Sequence, residues 1–307
     1  MKRRKFVQQI GVGTALMSTG LPVNLWGSSK AETVKLTILH TNDIHSRIEP
    51  FDQGRNAGRG GAARRAAMIQ QIRQEEEHVL LLDAGDIFQG TPYFNFFAGE
   101  LEFKLMSEMQ YDAATIGNHD FDAGIEGLVK QLPHANFPFL VCNYDFSDTL
   151  MAGKTKPYQI FEKGPLKIGV FGLGIELQGL VPKVLYKNTR YQNPITKANE
   201  VATILKEEEK CDYVICLSHL GYRYRDQTVS DVKLGEYSRH VDMIIGGHTH
   251  TFMDEPLVVR NRQGEPVLIN QAGWGGILLG RLDVLFERNQ KNKCIGCQNI
   301  AVGAARI

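Results

Sequence analysis

The sequence predicts an α/β fold, and two patterns in its 307 residues predict it. Short, nearly continuous apolar runs alternate with segments of helical composition, the order expected when strands are covered by helices. Five of the runs also end in the same kinds of polar residue: Ile38-Leu39 before Asp43 and His45, Val79 to Leu82 before Asp86, Ala113 to Ile116 before Asn118 and His119, Val214 to Leu217 before His219, and Met243 to Ile245 before His248 and His250. Strands of an open α/β sheet deliver such side chains from their carboxyl ends into one crevice, while the strands behind stay buried and hold it rigid. The pattern reads as a metal site assembled from strand ends.

From the amino end, residues 1–31 read as an export leader rather than as fold. Paired Arg3-Arg4 and Phe6 precede an uncharged, glycine-containing stretch from Ile10 to Trp26, resembling a twin-arginine signal and pointing to a periplasmic destination. Pro22 and the glycines leave that stretch too short and broken for stable membrane insertion. Removing Lys2, Arg3, Arg4 and Lys5 takes the formal net charge from +1 to −3, so no footprint for a nucleic-acid polymer exists. Residues 32–307 then form one catalytic-size domain. Gly61 to Glu77 and Thr196 to Lys210 read as covering helices, the second carrying Ala198, Val201, Ala202 and Leu205 at helical spacing behind Pro194. From Glu255 onward, Pro256 to Val259, Val267 to Gln271 and Ile277 to Phe286 alternate with Gly-rich turns, which predicts a second, partly antiparallel sheet. Cys142 and Cys216 lie in apolar runs as buried small hydrophobes, and Cys294-x-x-Cys297 reads as a small disulfide or two inert thiols.

The chemistry-bearing motifs follow from ligand geometry. In extended chain, Asp43 and His45 would point to the same side and grip one cation, and the same holds for His248 and His250 behind Gly246-Gly247. Gly85 frees the backbone to aim Asp86 into the crevice, where its two oxygens can bridge two metals, and Asp83 reads as a structural partner at the strand end. In Gly117-Asn118-His119-Asp120-x-Asp122, the Asn118 carbonyl can ligate a hard cation without adding charge, and His119, held by Asp122, can act on a substrate beside it. His40 reads as a possible orienting group behind a ligand, and His78, His134 and His240 as ordinary histidines. The aromatic cluster Phe88, Tyr93, Phe94, Phe96 and Phe97 reads as core packing or a subunit contact more than as a substrate wall. Gly58 to Gly61 with Arg55, Arg59 and Arg64 reads as a basic loop.

The ordered set Asp43-x-His45, Gly85-Asp86, Gly117-Asn118-His119-Asp120, His219 and Gly247-His248-x-His250 resembles the calcineurin-like metallophosphoesterases. Leu39-His40-Thr41-Asn42-Asp43 and Asn118-His119-Asp120-Phe121-Asp122 resemble, more narrowly, the catalytic domain of secreted bacterial 5′-nucleotidases and UDP-sugar hydrolases, over nearly all of the chain after the leader. The resemblance implies a four-layer α/β/β/α sandwich of two mixed sheets. It also implies two divalent ions, zinc, manganese or iron, one held by Asp43, His45, Asp86 and His250 and the other by Asp86, Asn118, His219 and His248. The implied reaction is attack of a metal-bridging hydroxide on the phosphorus of a small phosphorylated substrate, a nucleotide, with catalytic His119 and Asp122 serving the leaving-group oxygen.

Three departures bear on this. The family usually has Glu at the position of Asp120 and often Gln at that of His250, and its carboxyl-terminal nucleotide-recognition domain has no counterpart before Ile307. A separate recognition protein, or action on small phosphate esters without one, are the resulting expectations. A thiosulfohydrolase-like enzyme and a non-catalytic metal-binding protein are the rival readings.

Overall fold

A computed structural model describes residues 33–287 and 293–303; the predicted leader lies outside the described residues. The strands, in chain order, are β1 (Thr33–Thr41), β2 (Val79–Asp83), β3 (Ala113–Ala114), β4 (Tyr144–Asp145), β5 (Tyr158–Lys163), β6 (Leu166–Leu173), β7 (Arg190–Tyr191), β8 (Tyr213–Ser218), β9 (Met243–Gly246), β10 (Leu257–Arg260), β11 (Pro266–Asn270), β12 (Leu278–Glu287) and β13 (Lys293–Ala301). They build a five-stranded sheet ordered β13-β12-β1-β2-β3, a six-stranded sheet ordered β10-β11-β9-β8-β6-β5, and the small pair β4-β7. Both large sheets are mixed. In the first, β1, β2 and β3 are parallel and β12 is antiparallel to β1; in the second, β6, β8, β9 and β11 are parallel and β5 and β10 run against them.

The apolar runs are continuous because each strand is buried on both faces, and successive side chains alternate between two cores. Leu80 and Leu82 of β2 enter the core between the sheets, while Val79 and Leu81 face the outer helices of the first sheet. Ile215 and Leu217 of β8 enter the same central core, while Val214 and Cys216 face the helices covering the second sheet. Three cores separate four layers, helix, sheet, sheet and helix.

Helix Ala62–Glu75 supplies Ile69 and Ile72 to the first outer core and ends two residues before the expected Glu77. Helix Pro194–Thr203 begins earlier than expected, because Asn193 accepts a hydrogen bond from Thr196 N at 3.0 Å and so satisfies a free amide at the helix start. Its last turn, Ile204–Glu208, widens to a π-helix and carries Leu205 into the second outer core.

The separate carboxyl-terminal sheet expected from Glu255 onward does not form. β10 and β11 extend the second sheet beyond β9, and β12 crosses to the first sheet, pairing Leu282, Val284 and Phe286 with Ile38, Leu36 and Val34 of β1. That register puts the apolar positions of β12 into the central core, a stronger constraint than adjacency in sequence.

Cys142, Cys211 and Cys216 are buried thiols, and Cys294 and Cys297 form a disulfide on β13. Among the described residues no helix is long and apolar enough to cross a membrane.

Candidate metal centre

The carboxyl ends of β1, β2 and β3 in one sheet and of β8 and β9 in the other meet at one rim, so the ligand-bearing loops come from both sheets. There the backbone departs from the extended form expected for Asp43-x-His45. Asp43 and His45 have φ of 51° and 52°, Asp86 57°, His248 72° and His250 52°, all left-handed. The two i, i+2 pairs therefore do not share a side through strand geometry. His248 and His250 part, one to each of two clusters: Asp43, His45 and His250 form one, Asp86, His219 and His248 the other.

The atoms of the first cluster face one another. His45 Nε2 lies 3.0 Å from His250 Nε2, and Asp43 Oδ1 lies 3.9 Å from the former and 3.4 Å from the latter. In the second, His219 Nδ1 donates to Ala84 O at 2.7 Å, which leaves Nε2 unprotonated in the neutral ring and pointed at Asp86 Oδ2, 3.0 Å away. His248 Nδ1 lies 2.8 Å from Asn118 Oδ1, which brings Asn118 to this cluster. Asp86 stands between the two groups, with Oδ2 also 3.9 Å from His45 Nε2. Converging nitrogen and oxygen lone pairs in a buried site repel unless a proton or a cation lies among them, and mixed imidazole and carboxylate donors suit a divalent transition metal. The donor set fits two such ions.

Electrostatics follows from burial and these contacts. Burial opposes charge on His219, but the adjoining Asp86 carboxylate prevails and holds the ring up to about 10. Burial would raise Asp86, yet His219, His45 and His119 hold it well below the usual carboxylate range. Burial, with His219 beside it, pushes His248 down to about 4. His119 lies at the mouth with Nδ1 2.8 Å from Asp122 Oδ2, and that hydrogen bond raises its affinity for a proton.

Several residues that hold the site went unassigned in the sequence. Asp120 is fully buried and accepts four backbone N–H bonds, from Asp86 at 3.1 Å, Ile87 at 2.9 Å, Phe88 at 3.1 Å and Gly117 at 2.8 Å, and so fixes the loop that carries Asp86. Asn42 donates to Asp43 Oδ2 and Gly273 O, at 2.7 Å each. Buried Asp231 accepts from Ser218 and Gln271, and Trp274 stacks on His250 with ring centroids 5.7 Å apart. Asp120 and Asn42 had a visible signal, their places inside the Asn118-His119 and Leu39 to Asp43 motifs; Asp231 and Trp274 had none. Asp83 binds Thr41 and Gly85 N at the end of β2. His40 is not behind a ligand: its Nε2 lies 2.8 Å from Asn270 Nδ2, and burial lowers it to about 3. The aromatic cluster divides, with Phe88 packed inside against Phe94 and Phe103 while Phe96 and Phe97 are exposed.

A family model described as calcineurin-like phosphoesterase matches residues 36–252. The chain belongs to the calcineurin-like phosphoesterases. It is 35% identical over 286 residues to a snake venom 5′-nucleotidase of Crotalus adamanteus, covering 85% of this chain and 47% of that protein. A 5′-nucleotidase of Vibrio cholerae is 36% identical over 298 residues, covering 88% and 52%. Among solved structures, a 5′-nucleotidase precursor from Thermus thermophilus superposes with a TM-score of 0.78 at 30% identity, over 88% of this chain and 55% of that one. The phosphoesterase chain thus spans about half the length of the relatives it matches. The central layers reproduce the fold of these relatives.

Proposed function

We propose that the chain hydrolyses phosphate esters, nucleotides above all, at a two-metal site held by Asp43, His45, Asp86, Asn118, His219, His248 and His250. The observation that carries this reading is the pair of donor clusters with Asp86 between them, next to the His119–Asp122 pair. Two divalent ions, zinc, manganese or iron, supply such a site with an activated water, a clamp on phosphate oxygens and compensation of developing charge. The residues do the rest. His219 is kept in the ligating tautomer by its bond to Ala84 O, and Asp86 is fixed by the His119 N–H on Oδ1 at 2.8 Å. His119, oriented by Asp122, whose hydrogen bond raises its affinity for a proton, would donate from Nε2 toward the leaving-group oxygen and then recover the proton from water.

The cleft beside His119, His45 and His250 encloses about 270 Å³, enough for a phosphoryl group and part of its ester, whereas ligand-sized pockets run from about 300 to 1,000 Å³. The nucleoside would extend beyond it, toward a recognition element carried by a separate protein or by a further part of this one. The leader motif supports twin-arginine export to the periplasm.

The test is hydrolysis by the purified protein, with manganese or zinc, of an aryl phosphate, its bis-ester, AMP and an S-sulfonate, beside Asn118→Ala and His119→Ala. AMP turnover lost in both variants is the expected result. Activity on aryl esters alone would place nucleotide selection in another partner, S-sulfonate turnover alone would favour the thiosulfohydrolase reading, and metal binding without any turnover would overturn the enzyme.

A further inference from the structure

Arg47 follows the ligand loop of β1 and helps to line the same cleft, with His45, Gln89, His119, His250 and Trp274. Its surroundings differ from those of the arginines that bind carboxylates. Arg190 and Arg281 bind carboxylates, Asp145 for the first and Glu76 for the second. Arg47 instead lies over the Phe51 ring, Cζ 4.3 Å from its centroid, and its Nε is buried with no hydrogen-bond partner. Phe51 meets Trp274 edge to face at 5.3 Å, and Trp274 stacks on His250, so an unbroken aromatic chain fixes the guanidinium relative to the site. A guanidinium held face-on to a ring keeps its donors around its edge, in a planar fork that matches two oxygens of one phosphate. Arg47 lines the cleft, so a phosphoryl group bound there would supply acceptors for that fork.

We infer that Arg47 binds a non-bridging oxygen pair of the substrate phosphoryl group and makes the site selective for phosphomonoester dianions over diesters. The inference rests on the phosphoesterase reading of the cleft. A monoester offers one more non-bridging oxygen and one more negative charge than a diester, so a cation poised at the rim of the site gains more from the monoester. Arg47 is a binding residue in this scheme and moves no proton.

The experiment uses the full chain carrying Trp26→Phe, which leaves Trp274 as its one tryptophan, and compares it with Arg47→Met and Arg47→Lys in the same background. Arg47→Met keeps bulk over Phe51 without charge. The expected result is a KM for aryl phosphate and AMP about tenfold higher in Arg47→Met with kcat changed by less than about threefold, a clearly smaller rise in KM for the bis-ester, and partial recovery in Arg47→Lys. Inorganic phosphate, titrated against Trp274 fluorescence, should bind about tenfold more weakly to Arg47→Met. Equal losses on monoester and diester, or an unchanged phosphate affinity, would overturn the assignment. Should the unmodified site hydrolyse no ester, the function reading fails, and the phosphate titration still decides for or against Arg47.

Discussion

Gly117→Ala tests whether the contact between the β2 and β3 loops sets the position of Asp86. An alanine Cβ there would stand 2.5 Å from Asp86 N and 2.8 Å from Asp86 Cγ, where ordinary contact begins at 3.4 Å. The deficit against the backbone nitrogen is about 0.9 Å, and a backbone atom cannot rotate away as a side-chain tip can, so the Asp86 loop must shift by most of that distance. Overpacking of this kind costs about 1–3 kcal/mol of stability. Misplacing a reacting group by about 1 Å costs about a hundredfold in rate. The control is Gly153→Ala, at φ +71° with nothing within 4 Å, which bears only the left-handed backbone cost of about 1–2 kcal/mol and should leave turnover intact. Thermal unfolding, calorimetric titration with manganese and kcat/KM on an aryl phosphate separate the two effects. Comparable stability losses with a collapse of metal affinity and rate in Gly117→Ala alone are expected. Wild-type metal affinity in Gly117→Ala, or an equal loss in Gly153→Ala, would refute the reasoning.

Three further predictions follow from the buried groups. Asp120→Asn replaces an oxygen that accepts two N–H bonds by an amide that cannot, so manganese affinity should fall at least about tenfold by calorimetry; unchanged affinity would mean the Asp86 loop holds itself. Burial raises Asp242 from 3.8 to about 6, so the folded state binds its proton more tightly than the unfolded chain and stability should decline as pH rises from about 4 to about 6. Asp242→Asn, whose carbonyl can still accept the Val214 N–H, should remove up to about 3 kcal/mol of that slope in urea titrations at the two pH values, and an unaltered slope would assign it elsewhere. Chelation of bound metal should lower the unfolding midpoint and excess manganese restore it, since an ion at a hundred times its Kd stabilises by about 2.7 kcal/mol; a midpoint indifferent to chelator would count against the donor clusters as ion sites.

The layered core was legible because burial on both strand faces demands apolar residues at every position, as at Val79 to Leu82, and the rim was legible because those runs stop where polar residues begin. What escaped was conformation at the rim. Extended geometry would aim Asp43 with His45 and His248 with His250, but all four have positive φ; Asp and His are enriched among such residues, yet their identity alone does not say which of them will adopt it. The destination of β12 escaped too, because Leu282 and Val284 are equally apolar whether they close a new sheet or pair with β1.

Left-handed backbone at Asp43, His45, Asp86, His248 and His250 costs about 1 kcal/mol or more per residue and persists only when the surroundings over-determine it. Here the loops hold one another. Asp43 N donates to Gly85 O at 2.9 Å, His45 N to Asp86 O at 3.0 Å, His248 N to the Asp43 carboxylate at 3.0 Å and His119 N to Asp86 Oδ1 at 2.8 Å. Asp43, His45, Asp86 and His248 are thus each tied to the loop of another, so loss at one point should release the others together. The consequence is non-additivity: once Gly117→Ala has displaced Asp86, Asp120→Asn should remove little more, and the double variant should lose metal affinity by clearly less than the two single losses combined. Strict additivity, measured by manganese titration of the four proteins of the cycle, would mean that the loops are set independently and that the strand ends alone aim the ligands.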